Sequence, residues 1–204
     1  MSSVADIWNQ ALGLVGVDGE IQDPDADADA PATACRRFWV TVRDQVLRDF
    51  PWPKLKTTED LALVEADPND GIEWAFSYAQ PANCLAIRRL LNGSTRIDNE
   101  ATVVPYDVGR KASDGSVIIF TDLEDAQIEY TFHETDTSRY DADVVMAMAL
   151  LLAASIAARF GPEAVKLGDR ALRLYEWRRG TAQANAMNEK QPDLPTGSSF
   201  ERAR

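Results

Sequence analysis

The stretch Ala34-Cys35-Arg36-Arg37-Phe38-Trp39-Val40-Thr41-Val42-Arg43-Asp44-Gln45-Val46-Leu47-Arg48-Asp49-Phe50-Pro51-Trp52-Pro53 decides how the chain folds. At helical spacing Cys35, Phe38, Trp39, Val42, Val46 and Phe50 fall on one stripe, with Arg36, Arg37, Arg43, Asp44 and Arg48 on the other side. The segment therefore reads as an amphipathic helix. It cannot run past Phe50, because Pro51 disfavours helical geometry at the residue before it and Pro53 repeats the block. The stop delivers Trp52 to a corner, and the apolar stripe demands partners from elsewhere in the chain.

Upstream, Ser2 or Ser3 can cap a first helix in which Val4, Ile7, Trp8, Ala11, Leu12 and Val15 form a stripe and Gly16 ends it. Asp18 to Pro31 is an acidic loop with Asp23, Asp25, Asp27 and Asp29 at alternate positions. That spacing opens a calcium-binding EF-hand loop. Counted from Asp25, however, Ala30 stands where glycine is needed, Pro31 follows, and Arg36 replaces the closing glutamate. The competing reading of residues 23–29 is a solvated loop whose last Asp, or Thr33, caps the next helix.

Downstream, Lys54 to Glu65 extends or turns once more, and Asp67-Pro68-Asn69-Asp70-Gly71 is a dense turn signal. A β region follows. Trp74, Phe76 and Tyr78 alternate with polar or small residues, and Cys84 to Leu91 is a second strand closed by the hairpin signal Asn92-Gly93. Ala101 to Val108, Val117 to Thr121 and Ala126 to His133 supply further strands, which as short sequential runs favour antiparallel hairpins.

Asp141 is placed to cap a helix that is apolar nearly all round through Phe160, the expected centre of a bundle. Gly161-Pro162 then makes a helical hairpin, with Val165, Gly168, Leu172, Tyr175, Arg179, Ala182 and Ala186 as the packing stripe of the last helix. From Gln191 onward Pro192, Pro195, Gly197, Ser198 and Ser199 abolish regular structure and leave Phe200 alone in a tail ending in Arg202 and Arg204.

The expected fold class is thus α+β, mainly α: a bundle of three to four helices with an antiparallel β-hairpin subdomain inserted between the second and third long helices. The expected organisation is a single domain over 1–190, with the bundle built from 1–66 and 141–190, the β subdomain over 72–135, and a flexible tail over 191–204.

At 204 residues, 45% apolar and 26% charged, the chain can bury a real core. No run approaches the roughly 18 apolar residues of a membrane span, and no basic leader precedes Asp6, so synthesis in a reducing cytoplasm and no membrane partner are expected. Cys35 and Cys84 lack metal-ligand neighbours and read as small core residues. The net charge of −12 argues against a broad phosphate-gripping face. It is unevenly distributed: residues 1 to 35 carry seven acids and no Lys or Arg, whereas residues 159 to 204 carry nine Lys or Arg against six acids. Ends of opposite sign suit head-to-tail assembly, and equally a solvated surface.

Chemistry is hard to find. The single His133 excludes nucleophile systems that need a second histidine and reads as a structural strand-end residue. No serine or cysteine lies in a nucleophile elbow, and no glycine loop accompanies a phosphate-binding lysine. Carboxylate pairs cannot be singled out among 33 acids. No catalytic residue, metal ligand or cofactor is expected, and a structural role is favoured.

The order of features resembles the head-to-tail adaptor family of tailed phages, which includes tail tubular protein A of short-tailed phages. The resemblance rests on three blocks: Asn9, Ala11, Leu12, Leu14 and Gly16 followed by Ala34-Cys35-Arg36-Arg37-Phe38 running into Phe50-Pro51-Trp52; Trp74 to Tyr78 with Pro81 to Leu85; and Ala126 to Tyr130 with Asp136, Tyr140 and the Ala/Leu helix ending Ile156-Ala157. It departs from the family after the corner, where Lys54-Leu55-Lys56 stands in place of an aromatic. The resemblance implies a homo-oligomeric ring of about twelve copies in the virion neck, made in the host cytoplasm, bound beneath the portal protein with the tail nozzle or tail tube below. Genomic DNA would pass through without sequence-specific binding. In such a ring the tail suits portal grooves, with Phe200 as anchor and Arg202 and Arg204 as charge contacts. Arg36, Arg37, Arg43, Tyr175 and Arg179 are the candidate subunit-interface residues. Rival expectations are a carboxylate-dependent hydrolase, such as a cell-wall-degrading tail-associated domain, and a stand-alone chaperone or ligand-binding module.

Overall fold

Helix formation begins at Ser3, whose hydroxyl accepts from the Asp6 N–H while the Asp6 carboxylate accepts from the Ser3 N–H, a reciprocal capping box that starts α1 (Val4–Leu14). The computed structural model describes residues 2–68, 73–91, 103–111 and 113–189, with residues 181–189 described by backbone alone. Gly16, at φ +70°, ends the helix in the left-handed region. The Asn9 amide then exchanges two hydrogen bonds with the Ile21 backbone at 2.8 and 2.9 Å, pinning the acidic loop to α1. Asp29 caps α2 (Ala30–Asp49) by accepting from the Ala32 N–H, so this helix starts a turn before Ala34.

The Pro-Trp corner packs inward. Trp52 is buried, lies edge-on to Phe50 at 4.8 Å and donates its indole N–H to the Val46 carbonyl. After a 3-10 turn at Pro53–Leu55 the chain enters β1 (Lys56–Asp60) and β2 (Leu63–Ala66). Beyond these lie β3 (Phe76–Ala79), β4 (Cys84–Leu91), β5 (Asp107–Arg110), β6 (Val117–Thr121) and β7 (Gln127–Phe132). Helices α3 (Ala142–Ile156) and α4 (Pro162–Glu189) complete the chain.

The expected fold class is corrected here. The described residues form four α-helices and seven strands, in two antiparallel sheets ordered β1-β7-β4 and β2-β3-β6-β5, an α/β architecture rather than a helical bundle carrying one hairpin. The β structure starts at Lys56, inside the stretch expected to belong to the bundle. The physical reason is tertiary: Lys56 to Asp60 pairs with Thr131 to Gln127, and Leu63 to Ala66 pairs with Tyr78 to Phe76, partners that local periodicity does not reveal. At Leu61-Ala62 the chain crosses between sheets, Leu61 donating to the Ala126 carbonyl and Ala62 accepting from Ala79. Leu61, Tyr78, Leu90, Ile119, Ile128 and Tyr130 form the apolar cluster that joins the two sheets. Among the described strands β2 with β3 and β5 with β6 make the antiparallel hairpins expected of neighbours, the second around Lys111 and Gly115. The Asn92-Gly93 signal lies outside the described residues, and β4 pairs with the distant β7.

The larger core belongs to the helices. α3 is buried along ten of its fifteen residues, surrounded by α1, α2 and α4. By length and composition Ala142–Arg159 could cross a membrane, at a mean hydropathy of 1.8, but 61% of it is buried in the protein, which identifies it as the core helix. One residue ties this core to the sheets. Arg88 of β4 donates to Thr131 Oγ1 at 2.8 Å and to the Leu47 and Phe50 carbonyls at 2.9 and 3.0 Å, satisfying the C-terminal end of α2 with a cation.

Candidate functional site

The site is built on α4. Gly161, at φ +96°, reverses the chain after α3 and Pro162 opens the new helix. The residues that α4 buries fall on one narrow line, Ala164, Gly168, Ala171 and Tyr175, with Leu167 lying beside Gly16 at its flank. A Cβ on Gly168 would stand 2.5 Å from the Ala157 Cβ, so the two helices approach as closely as side chains permit. This corrects the expected stripe. Gly168 and Tyr175 lie on the buried line as read, but Val165 and Leu172 are exposed, because a close helix crossing selects the smallest residues rather than the most apolar ones.

The consequence is a surface rich in large apolar side chains. Val165, Leu167, Leu172 and Leu174 are 37–40% exposed and Trp177 is 66% exposed, all on one helix. Near its C-terminal part, α4 borders a cleft of about 240 Å³ against the end of α2, the Pro-Trp corner and the start of α3. Val46, Phe50, Trp52 and Ala147 give it an apolar lining, while Asp49, Asp143, Arg178 and Arg179 charge it. Inside the chain, Tyr175 Oη donates to Asp49 Oδ2 at 2.7 Å and Arg179 Nη1 stands 3.8 Å from the same oxygen. Burial, and then the Asp49 bond, raise the Tyr175 phenol above its ordinary value. Such a cleft suits one anchoring side chain of a partner.

The structure disperses the other candidate residues. Arg36 donates to the Pro24 and Asp27 carbonyls at 2.6 to 3.0 Å and holds the acidic loop. Arg37 is exposed on the same helix. Arg43 is buried and donates to Asp44 Oδ1 at 2.9 Å and to His133 Nε2 at 2.8 Å, fastening the end of β7 to α2. Tyr175 and Arg179 are brought together over Asp49; Arg36 and Arg43 have other partners. Phe200, Arg202 and Arg204 lie outside the described residues. Sequence reading missed Asp49, Leu167 and Leu174. The available signal was the seven-residue repeat of Leu167 to Leu174 and of Val165 to Leu172, two turns of helix each.

Elsewhere the polar groups serve local structure. In the acidic loop, Asp27 Oδ2 accepts from the Gln22 and Asp23 N–H groups and Asp23 Oδ1 from those of Asp25 and Ala26, and no metal-binding cluster occurs among the described residues. Asp6, Asp114 and Asp136 are shifted down. The Ser3 N–H and then its hydroxyl hold Asp6 ionised, and the hydroxyl and then the N–H of Ser116 and Ser138 do the same for Asp114 and Asp136. Those shifts run opposite to what a general acid needs. Burial pushes the Cys35 thiol up to about 12 and the Cys84 thiol up to about 11, which makes both poor nucleophiles. No protein-family model matches the chain, and no curated protein matches it.

Proposed function

We propose that the chain is a structural subunit of a phage virion, a head-to-tail adaptor that joins a ring between the portal protein and the tail nozzle or tube. The observation that carries this reading is α4: a long helix seated on the narrow line Ala164, Gly168, Ala171 and Tyr175, with Trp177 66% exposed and four further large apolar side chains 37–40% exposed. Exposed apolar side chains gathered on one element mark a candidate contact surface. The ordered blocks Ala34 to Trp52, Trp74 to Leu85 and Ala126 to Ala157, which resemble the adaptor family, give the class of assembly. Negative net charge agrees with a conduit that does not hold its DNA. The virion neck is the corresponding location.

The test is to mix the purified chain with its cognate portal ring and to measure mass by light scattering and shape by negative-stain imaging. Adaptor function predicts a stacked ring on the portal. A chain that stays separate from the portal overturns the reading. Deleting residues 191–204 is expected to weaken portal binding through loss of Phe200, Arg202 and Arg204, and unchanged binding removes the tail from the contact.

A further inference from the structure

The exposed surface of α4 consists of two edges. At 3.6 residues per turn, the buried line Ala164, Gly168, Ala171 and Tyr175 separates Leu167 and Leu174 on one side from Val165 and Leu172 on the other. The charges sort by side in the same way. Arg170 and Arg178 accompany the Leu167/Leu174 edge, and Asp169 and Glu176 accompany the Val165/Leu172 edge. Each edge has one charge of the opposite sign, and each is engaged within the chain: Glu163 pairs with Lys166 at 2.7 Å, and Arg179 stands 3.8 Å from Asp49. One edge is therefore apolar and basic, the other apolar and acidic.

The counterparts also stand at matching heights. Leu167 is within two residues of Val165, Leu174 of Leu172, Arg170 of Asp169 and Arg178 of Glu176, so each pair differs by at most about 3 Å along the axis. Neighbours in a closed ring are related by rotation without translation, so a helix that runs along the ring axis and meets its counterpart in the next copy does so in parallel and at equal height. Two complementary edges at equal height meet that requirement. An antiparallel contact would set like charges and unequal heights against each other.

We propose that α4 is a two-edged self-assembly helix: the Leu167/Leu174 edge of one copy packs in parallel on the Val165/Leu172 edge of a second copy, with Arg170 and Arg178 facing Asp169 and Glu176. This deepens the ring component of the function proposed above and rests on that component alone. The contact is heterologous, and a single helix pair is small, so each joint is weak and ring closure supplies the avidity.

The test uses two variants of the full chain, Leu174→Asp to block the first edge and Leu172→Asp to block the second. The wild-type mass is expected to rise above 22.5 kDa as concentration is raised from about 1 µM to about 1 mM. Each variant stays at 22.5 kDa, and an equimolar mixture forms a species of two copies, joined through the one edge each partner keeps. A constant wild-type mass, variants that assemble like wild type, or a mixture that stays monomeric overturns the proposal. Both sites are exposed, and circular dichroism checks that the variants fold. A second set removes dependence on the aspartates: Arg170→Glu with Arg178→Glu weakens association more than about tenfold, and adding Asp169→Lys with Glu176→Lys to the same chain restores it. Wild-type chain that rings the portal while the edge variants do so equally well sinks the edge proposal and leaves the adaptor reading standing.

Discussion

α3 and α4 are consecutive helices with five alanines and three leucines each, α3 within fifteen residues that include one charged side chain and α4 within twenty-eight that include nine, and their surroundings differ accordingly. α3 buries ten of its fifteen residues and is walled in by three helices; α4 buries a line of small residues and leaves its leucines wet. The difference shows that a leucine is not by itself a core position: the leucines of α3 are buried and those of α4 are more than a third exposed. What decides is how many neighbours a helix has, and α4 has neighbours on one side only within the monomer.

The comparison can be broken most forcefully at α3. Leu152→Ala, at a fully buried position, is expected to cost about 2–5 kcal/mol by urea denaturation, through lost burial and the cavity left behind. Gly168→Ala probes the line where the two helices touch. Its Cβ meets the Ala157 Cβ, which has no flexible end to swing away, so helix separation outweighs the gain in helix propensity and the net loss is about 1–2 kcal/mol.

Tyr175→Phe removes the hydroxyl that bonds Asp49 and is expected to cost about 1 kcal/mol at neutral pH. Its pH dependence has a definite sign. The folded phenol is raised above its ordinary value of 10.0, so the unfolded chain loses its proton first and stability falls as pH rises beyond that point. The variant should show a shallower alkaline decline in thermal melts, with a residual slope from Tyr130 and Tyr140, whose phenols burial also raises. Smallest of all, Leu174→Ala should change monomer stability by no more than about 0.5 kcal/mol, against the cost of the same chemical change in α3. A large loss there would mean that α4 is folded against its own chain more closely than its exposure indicates.

What could be read from the sequence follows a physical division. Elements set by neighbours in the chain were legible: Ser3 and Asp29 as caps, the stop at Phe50-Pro51, β4 at Cys84–Leu91 and β6 at Val117–Thr121, and the turn at Gly161-Pro162. Features set by distant partners were not. β1 and β2 were missed because Thr57 and Thr58 become strand only beside Tyr130 and Glu129. Arg43 projects from the polar side of a helical wheel but is buried under the end of β7, and the reach of Arg88 into the α2 carbonyls leaves no periodic trace. At the candidate site, Tyr175 and Arg179 read from the sequence as subunit-interface residues, and the structure places them over Asp49 of the same chain. Their partner Asp49 and the two edges of α4 needed the identity of the buried line, which a close crossing gives to glycine and alanine.

The crossing at Leu61-Ala62 bears on how the protein is born. Asp60 pairs with Gln127, and the α1 and α2 stripes are covered by α3, which begins at Ala142. A chain leaving the ribosome N-terminus first therefore exposes the α1, α2 and β1 segments well before their partners exist. The sheet layer cannot close until β7 (Gln127–Phe132) has emerged, nor the helical layer until α3 (Ala142–Ile156) has, so a product ended before residue 127 lacks a finished core and is exposed to proteolysis.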